Sequence, residues 1–520
     1  MFFTKEKNKI FAKKSKSLLP MIKKILLASL FLNSLLSFSQ DIVKDFDLKL
    51  EKKRDYFQVV NEAEKEVILF LNDKEKVSAI RFDQTFTIKD SLSALRPEKK
   101  YEEIIGSTQN KNDYFVFWGS KDRKEINSQS FNFTSKKTET KPIHLELKKE
   151  KIVKEITINN RFYLITIVKN TSILKFYISD NDGNLNEKTV DLSHLDFKNI
   201  FNHTENLYTV LTDESSEPNF QTIANDSPPS LALSSKRYKI YTYNPDEIIF
   251  TMDNNTNATQ VLRINIQDFT SNLKSIEQQK IVKGEYGAIS FRSNSFLIDN
   301  KILQIKTNSF VLFFTISDLN GNKINEYKVL HDEEIGFKNS DFFQQKNGLL
   351  LQNNGFIINT KPIKNSEMFL RKISDSPSIS CYNLNGAYYT VIGSSEDISR
   401  GGGGMPGMGM SAGGMGAGMS FVPYQRCYTV ENLISYKDKF VVYTNCLFDS
   451  NFNHLNGEMK TSAFDKLRIF LEENEEIKES VSIFTASLYK DLILFKLNST
   501  LYLGNYNKKN KKYQIFSFTE

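Results

Sequence analysis

A short motif that ends a strand and enters a turn recurs in this chain, and it limits the folds that the chain can form. Ile-Ser-Asp occurs at 178–180, 316–318 and 373–375, and a looser copy, Ile-Gln-Asp, occurs at 266–268. Two copies match over seven residues, as ISDNDGN and ISDLNGN, and each is followed shortly by Asn-Glu. The first residues of successive copies lie 88, 50 and 57 residues apart. A unit that recurs at this spacing is typical of repeat architectures.

Past residue 50 the sequence alternates between apolar runs and turns, with almost no sustained helical period. The runs are rich in Ile, Val, Phe, Tyr and Thr, and Asn, Asp, Gly and Lys separate them, which predicts an all-β protein. A three-strand meander is predicted from segments 161–169, 172–179 and 186–192, with a turn at 181–184 that tolerates positive φ. Other strand clusters lie at 66–88, 114–134 and 491–517. Weaker copies of the repeat lie at 124–134 and 467–479, and the latter also fits an amphipathic helix.

These intervals favour a β-propeller, whose four-stranded blades take about 40 to 50 residues each. The longest interval contains a polar segment, 213–235, which we expect to be an exposed loop. We predict one domain over residues 41–520 with about seven blades, within a range of six to eight. Tandem β-sandwiches are the alternative, but they do not require a recurring strand-end motif. If the copies are equivalent, Asp180, Asp318 and Asp375 lie on one rim of the disc, and Asp268 marks the looser copy.

The first 40 residues have the three parts of a cleavable secretory leader. A basic region is followed by an apolar run at 25–38 and by Ser37 and Ser39, the small residues that precede a cleavage site. A bilayer span needs about 20 apolar residues, so the run predicts a leader and no transmembrane anchor. Translation starts at Met1 or at Met21. The leader predicts export to the periplasm or to the outside of the cell. At the level of architecture the chain resembles exported bacterial propeller-repeat proteins.

Charge and cysteine content narrow the function classes. Residues 1–40 hold eight of the 69 basic residues and one of the 62 acidic residues, so the remainder has 61 of each. A balanced charge gives no reason to expect a nucleic-acid partner. Cys381, Cys427 and Cys446 allow one disulfide and one odd thiol, and the sequence does not decide which pair forms.

Motifs for catalysis or cofactor binding are missing from the sequence. The Ser-Asp turns differ from the sialidase Asp-box, S-x-D-x-G-x-x-W, because Asp180 and Asp318 directly follow the serine and the single tryptophan is Trp118. The spacing of an EF-hand calcium loop fails too, which leaves capping of a hairpin as the interpretation of these turns. We therefore expect a non-catalytic, monomeric binding or scaffold protein with a protein or glycan partner in the cell envelope and no cofactor. An exported hydrolase is the alternative.

One low-complexity segment, GGGGMPGMGMSAGGMGAGMS at 401–420, interrupts two strand-like runs at 387–393 and 427–435. Glycine loses much backbone entropy on ordering and has no side chain to bury, so we predict a mobile hairpin extension. Thioether sulfur is a ligand that selects Cu(I). The candidate ligands for such a site are Met405, Met408, Met410, Met415 and Met419. A flexible linker and an adaptable contact surface are the alternatives.

Overall fold

The computed structural model describes most of the chain. The described residues are 42–50, 55–110, 113–213, 217–223, 230–242, 244–282, 284–286, 290–349, 356–397, 439–474, 492–507 and 509–520. The predicted leader and the Gly/Met segment lie outside these residues.

The first half of the described chain is almost entirely β-structure. Its strands are β1 (Ile42–Asp47), β2 (Asp55–Asn61), β3 (Glu66–Asn72), β4 (Lys76–Phe82), β5 (Ile88–Leu95), β6 (Glu103–Asn110), β7 (Asp113–Gly119), β8 (Glu125–Asn132), β9 (Lys137–His144), β10 (Glu150–Ile158), β11 (Arg161–Val168), β12 (Ile173–Ser179), β13 (Leu185–Asp191), β14 (Phe197–Lys198), β15 (Thr204–Glu205), β16 (Gln221–Ile223) and β17 (Tyr238–Tyr241). Two short helices follow β15 and β16, namely α1 (Leu207–Leu211) and α2 (Leu231–Ser234).

The second half continues the same pattern. Its strands are β18 (Glu247–Asn255), β19 (Ala258–Asn265), β20 (Ser271–Glu277), β21 (Arg292–Ile298), β22 (Lys301–Thr307), β23 (Val311–Asp318), β24 (Lys323–Leu330), β25 (Phe342–Leu349), β26 (Phe356–Ile363), β27 (Pro377–Leu384), β28 (Ala387–Asp397), β29 (Lys439–Phe448), β30 (Leu492–Leu497), β31 (Thr500–Asn507) and β32 (Lys512–Phe518). Helix α3 (Ser366–Ile373) precedes β27, and helix α4 (Ala463–Glu473) precedes β30.

The described strands form seven sheets of four or five strands, each of which is one blade of a β-propeller. Blades 1, 2 and 3 are the four-stranded meanders β2–β5, β6–β9 and β10–β13, and blade 5 is β21–β24. Blade 4 consists of β17–β20, with β16 added parallel to β17. Blade 6 has the order β26-β25-β29-β28-β27, so its outer hairpin precedes its inner strands in the chain. Both the fold class and the blade number agree with the sequence prediction.

The ring is closed by hydrogen bonds between the two ends of the described chain. Strand β1 pairs antiparallel with β32 and supplies the fourth strand of blade 7, whose other strands come from the C-terminal end. Apolar clusters join each neighbouring pair of blades, including blade 7 with blade 1, where Ile493 and Phe495 pack with Val67 and Leu69. A closed ring leaves no blade with an unpaired face, which stabilises a fold built mainly of sheets.

Burial on both faces explains the continuous apolar runs in the sequence. Along β11, Phe162 and Leu164 pack against blade 2, whereas Tyr163 and Ile165 belong to the cluster shared with blade 4. Successive side chains of a strand point to opposite faces, so a strand between two blades must be apolar at nearly every position. The predicted meander at 161–192 is confirmed, because its three segments correspond to β11, β12 and β13.

Two sequence expectations need correction. Segment 213–235 is not simply an exposed loop, because Ile223, Leu231 and Ser234 are buried. Strand β16 lies beside β17, and α2 packs against blade 6, where Ser234 Oγ lies 2.9 Å from Ser378 Oγ. This segment thus connects the inner parts of blades 4 and 6. The copy at 467–479 begins within helix α4, as its alternative interpretation proposed.

Candidate functional site

The two rims of the ring differ in the loops that they carry. We call the edge where the chain begins the first strand of each blade the front rim. Because neighbouring strands are antiparallel, the connections between blades and the turns between second and third strands lie there. Turns between third and fourth strands lie on the opposite edge, the back rim.

A groove of about 1160 Å³ lies on the front rim between blades 4 and 5. Typical sites for drug-sized ligands have about 300–1,000 Å³, so the groove suits an extended ligand. Its walls come from the β14–β15 hairpin, from the β18–β19 turn and from the described residues of the connection between the two blades, 278–282, 284, 286, 290 and 291. Six side-chain amides line it, those of Asn202, Asn255, Asn257, Gln260, Gln278 and Gln279.

The β14–β15 hairpin is fixed to blade 4 by hydrogen bonds from amide side chains. Gln260 accepts from the Lys198 backbone N–H at 2.7 Å and donates to the Lys198 carbonyl at 2.8 Å. Asn255 donates to the Asn199 carbonyl and to Asn202 Oδ1, at 3.2 and 3.0 Å. Asn255 and Gln260 are 2% and 1% exposed, so this wall is held in place before a ligand binds.

The opposite wall joins blade 4 to blade 5. The Gln278 backbone N–H donates to the Asn257 carbonyl at 2.7 Å, and Lys306 Nζ donates to the Gln279 carbonyl at 2.9 Å. Two half-buried rings, Tyr286 and Phe291, meet edge to face with centroids 6.5 Å apart. The wall therefore presents apolar ring surface beside polar amides.

Three lysines and one glutamate are the charged residues among those that line the groove. Lys198 pairs with Asp196 at 2.7 Å, and Lys280 pairs with Glu277 at 3.0 Å. Lys306 differs, because it is 6% exposed and forms no ion pair with a described residue. Burial lowers the pKa of Lys306, since the charged ammonium loses its water.

A buried ion pair lies beneath the groove, between blades 4 and 5. Lys239 Nζ and Asp253 Oδ2 are 2.9 Å apart, and both side chains are fully buried. Asp253 also accepts from the Thr259 hydroxyl at 2.8 Å and from Ser295, through the backbone N–H at 3.0 Å and the hydroxyl at 2.8 Å. Gln304 reaches the same threonine from blade 5 at 3.0 Å. Desolvation lowers the pKa of Lys239 despite the neighbouring carboxylate.

The recurring turns lie on the back rim, where they cap hairpins. Asp180, Asp268 and Asp318 lie between the third and fourth strands of blades 3, 4 and 5. Asp180 Oδ1 accepts from the backbone N–H groups of residues 182 and 184, and Oδ2 accepts from Asn184 and Asn186 side chains. Asp318 accepts in the same way from residues 320 and 322. A carboxylate engaged by four N–H groups stabilises its turn, although a cavity of about 270 Å³ lies beside Asp180.

The prediction that Asp375 belongs to this set is wrong. Ile373 ends helix α3, Ser374 is its C-cap, and Asp375 precedes the first strand of blade 6 on the front rim. The helix begins with an Asn365 side chain that accepts from the Met368 N–H, so local capping governs this segment.

Three further turns of the same type escaped the sequence analysis. Asp83, Asn199 and Asp449 each accept, through the side-chain oxygen, from the backbone N–H groups two and four residues later. The fourth turn residue has a positive φ in each, and it is Phe86, Asn202 and Phe452 instead of glycine. A search for Asp or Asn followed four residues later by Asn, Thr or His finds these turns.

The cysteines that the structure describes are both buried free thiols. Both lie in blade 6, where Thr390 of β28 is the register partner of Cys381 on β27 and of Cys446 on β29. The two cysteines are therefore two strand spacings apart, roughly 9–10 Å. A disulfide needs Cα atoms within about 7 Å, which excludes a bridge between these two residues. Burial raises the pKa of Cys381 to about 12 and also raises the pKa of Cys446. A bridge to Cys427 lies outside the described residues.

The proposed copper ligands, Met405, Met408, Met410, Met415 and Met419, also lie outside the described residues. The strands on either side of that segment pair directly, with Asp397 opposite Lys439 and an ion pair between them, on the front rim. Within the described part of the chain, no three His, Cys, Asp or Glu side chains are grouped in a way that suits a metal ion.

Paired carboxylates do occur in blades 2 and 3, but an arginine neutralises them. Arg123, which is 1% exposed, donates to Glu103 at 2.5 Å and to Glu155 at 2.7 Å. A permanently charged guanidinium occupies the space between the two carboxylates, so this arrangement stabilises the fold as an ion-pair network and does not suit proton transfer.

Comparisons with known proteins show no relationship at the family level. No family model matches the chain, and no curated protein matches it. Among solved structures, the β-propeller domain of Nup133 from Vanderwaltozyma polyspora is 11% identical, with a TM-score of 0.34 over 91% of this chain and 96% of that one. An uncharacterised protein of Listeria monocytogenes is 11% identical, with a TM-score of 0.24 over 67% and 82%.

A chimera of apocarotenoid oxygenase and RPE65 is 8% identical, with a TM-score of 0.28, and the match spans 54% of this chain and 63% of that one. These TM-scores lie below 0.5, so the description of the propeller depends on the strand order and pairing given above. No helix among the described residues has both the length and the apolar character of a membrane span.

Proposed function

We propose that this protein is a non-catalytic, exported binding protein that holds an extended glycan chain in the front-rim groove between blades 4 and 5. The observation that carries the proposal is the fixed, amide-lined groove of about 1160 Å³. The predicted leader supports export, and the periplasm and cell surface are where envelope glycans occur.

The side chains of the groove suit sugar hydroxyl groups. An amide has both donors and acceptors, as a hydroxyl does, so one Asn or Gln can serve both roles toward a sugar. The side-chain amides of Asn257 and Gln279 form no hydrogen bond with another described residue, whereas those of Asn255 and Gln260 are engaged in the wall. Tyr286 and Phe291 add apolar surface against which the C–H groups of a sugar ring can pack.

Other ligand and function classes fit the groove less well. Nucleic acid favours an electropositive groove with arginine, and none of the described lining residues is arginine. Glycoside hydrolysis ordinarily uses two carboxyl groups about 5–9.5 Å apart. Glu277 is the single carboxylate among the described lining residues, and its side chain is 70% exposed and paired with Lys280. The groove therefore favours binding over hydrolysis.

The test is calorimetric titration of the purified protein with defined oligosaccharides, together with assays for chain cleavage. We expect binding without cleavage, and we expect Asn257→Ala combined with Gln279→Ala to weaken it about 10-fold, because each lost hydrogen bond is worth about 0.5–1.5 kcal/mol. Asn320→Ala is the matched control, since Asn320 is an exposed amide on the back rim.

The proposal is contradicted if the control and the groove variant lose affinity equally, or if no oligosaccharide binds. Binding of a protein partner that depends on Asn257 would assign the same groove to protein recognition. Cleavage of the oligosaccharide would assign the chain to the hydrolases.

A further inference from the structure

Lys306 is a buried cation that lacks a counter-ion in the part of the chain that the structure describes. It lies on β22 of blade 5, is 6% exposed, and lines the groove. Its Nζ donates to the Gln279 carbonyl at 2.9 Å and lies 6.0 Å from the centre of the Phe291 ring. The other lysines of the groove, Lys198 and Lys280, already have carboxylate partners.

An ammonium in this position is poorly satisfied without a ligand. It has three N–H donors, and one of them has an acceptor among the described residues. Buried lysines are almost always paired, because removing a charge from water costs several kcal/mol unless an opposite charge compensates. Burial lowers the pKa of Lys306, and an anion placed beside it would raise that pKa again.

We propose that the glycan bound in this groove is acidic, and that Lys306 binds one of its carboxylate or sulfate groups. This inference rests on the proposed function, which it narrows from glycans in general to polyanionic ones. A lysine presents a compact point charge and not the planar fork of arginine, so it suits a single anionic oxygen within a sugar chain. Neutral sugar hydroxyls then face the amides of Asn257 and Gln279 in the same groove.

The experiment compares three hexasaccharides by calorimetry, namely a mannuronate, a sulfated galactose and a neutral mannose oligomer. We expect the purified protein to bind at least one of the two acidic chains about 10-fold more tightly than the neutral chain, because charge-assisted hydrogen bonds are about twice as strong as neutral ones. Preference between the carboxylated and the sulfated chain identifies the source of the anion.

Lys306→Met tests the assigned residue, because methionine keeps the unbranched stem and removes the charge. We expect this variant to lose about 10-fold or more in affinity for the acidic chain, while affinity for the neutral chain changes by less than about 2-fold. Lys323→Met is the matched control, because Lys323 lies outside the groove, is exposed and already pairs with Glu326 at 2.8 Å, so we expect less than about 2-fold loss. Thermal unfolding of both variants checks that they remain folded.

The outcomes separate this inference from the function on which it rests. Equal affinity for acidic and neutral chains, or an acidic preference that survives Lys306→Met, overturns the role of Lys306 but leaves glycan binding intact. An equal loss in Lys323→Met and Lys306→Met indicates diffuse attraction to the positive charge of the protein and also overturns it. If no hexasaccharide binds, the proposed function itself fails.

Discussion

Replacing Asp253 with asparagine tests whether the buried ion pair between blades 4 and 5 holds this part of the ring together. The substitution keeps the size of the side chain and removes its charge. It leaves Lys239, which is fully buried, with no carboxylate, since Asp253 is its hydrogen-bonded partner among the described residues. The lysine must then either remain charged without compensation or lose its proton.

Loss of the Lys239 proton sets an upper limit to the free energy of unfolding that the substitution can remove. Deprotonating a lysine with an ordinary pKa of 10.5 at pH 7 costs about 4.8 kcal/mol, at about 1.36 kcal/mol per pH unit. Removing one partner of a buried pair typically costs about 3–5 kcal/mol, which agrees with this limit. We therefore expect Asp253→Asn to lower the free energy of unfolding by about 3–5 kcal/mol at pH 7.

The pH dependence distinguishes this mechanism from a loss of packing. We expect desolvation to leave Lys239 neutral in the folded variant, whereas in the unfolded chain it holds its proton up to its ordinary pKa of 10.5. The unfolded state then binds one more proton, so stability rises with pH, by about 1.4 kcal/mol per unit, from pH 7 toward the unfolded pKa. In the parent protein the lowered pKa of Lys239 gives a slope of the same sign, and the attraction of Asp253 for the charged ammonium makes that slope smaller than in the variant.

Urea unfolding at pH 7, 8 and 9, followed by circular dichroism, measures the effect. Lys239→Met is the control, because Asp253 keeps its three donors from Thr259 and Ser295, and we expect a smaller cost of about 1–3 kcal/mol without the slope. The double variant should recover much of the loss, because replacing both partners is often nearly neutral. A cost below about 1 kcal/mol, or one that stays constant between pH 7 and 9, would refute the role given to this pair.

Three further outcomes follow from particular residues. Gly183→Ala should destabilise the protein more than Gly321→Ala by urea unfolding. An added Cβ costs about 1–2 kcal/mol at either glycine, because both have positive φ. At 183 the Cβ would also collide with Ser128 Oγ, whereas at 321 the nearest atom, Lys274 Cε, lies at 4.0 Å; equal costs would contradict the steric explanation. Cys381 and Cys446 should resist a thiol reagent at pH 8 until urea is added, because both are buried with raised pKa values; rapid labelling of the native protein would show that blade 6 opens. Deleting 401–420 should leave the urea midpoint nearly unchanged, since β28 and β29 pair directly as far as Asp397 and Lys439, and halving the connection between them changes the free energy of loop closure by about 0.6 kcal/mol; unfolding on deletion would mean that the segment is packed.

The sequence predicted well those strands whose position depends on local patterns of apolar and turn residues. Strands β11, β12 and β13 follow from alternation and from the turn at Gly183, because each strand pairs with its neighbour in the chain. Blade 6 was not predictable in this way, since β25 pairs with β29 across about 90 intervening residues. The Ile-Ser-Asp at 373–375 shows the same limit, because three residues do not distinguish a strand end from a helix end.

The turns at Asp83 and Asp449 were missed for a physical reason. Glycine at the fourth position marks the copies at Asp180 and Asp318, because a positive φ costs it nothing. Phe86 and Phe452 adopt the same φ with side chains 1% and 0% exposed, so burial of a large ring offsets the backbone strain. A search restricted to glycine therefore underestimates how often this turn recurs.

The candidate groove was hidden from sequence analysis because its residues come from distant segments. The connection between blades 2 and 3 has only five residues, 145–149. By contrast, the connections on either side of blade 4 are long, namely 192–237 before its first antiparallel strand and 278–291 before blade 5. Long connections on a rigid scaffold are where function concentrates. Six of the described lining residues carry side-chain amides, but they come from separate segments, so no local motif in the sequence marks them.

The groove and the blade interface beneath it share one hydrogen-bond network, and this links stability to binding. Gln278 lines the groove and reaches Thr259 at 3.4 Å, and that threonine donates to Asp253 at 2.8 Å. Gln304 of blade 5 donates to the same hydroxyl. Residues fixed in this way lose little conformational entropy when a ligand binds, so a rigid floor favours affinity. A change at Asp253 that leaves the ring folded should therefore still weaken glycan binding, although Asp253 itself lies below the groove and does not line it.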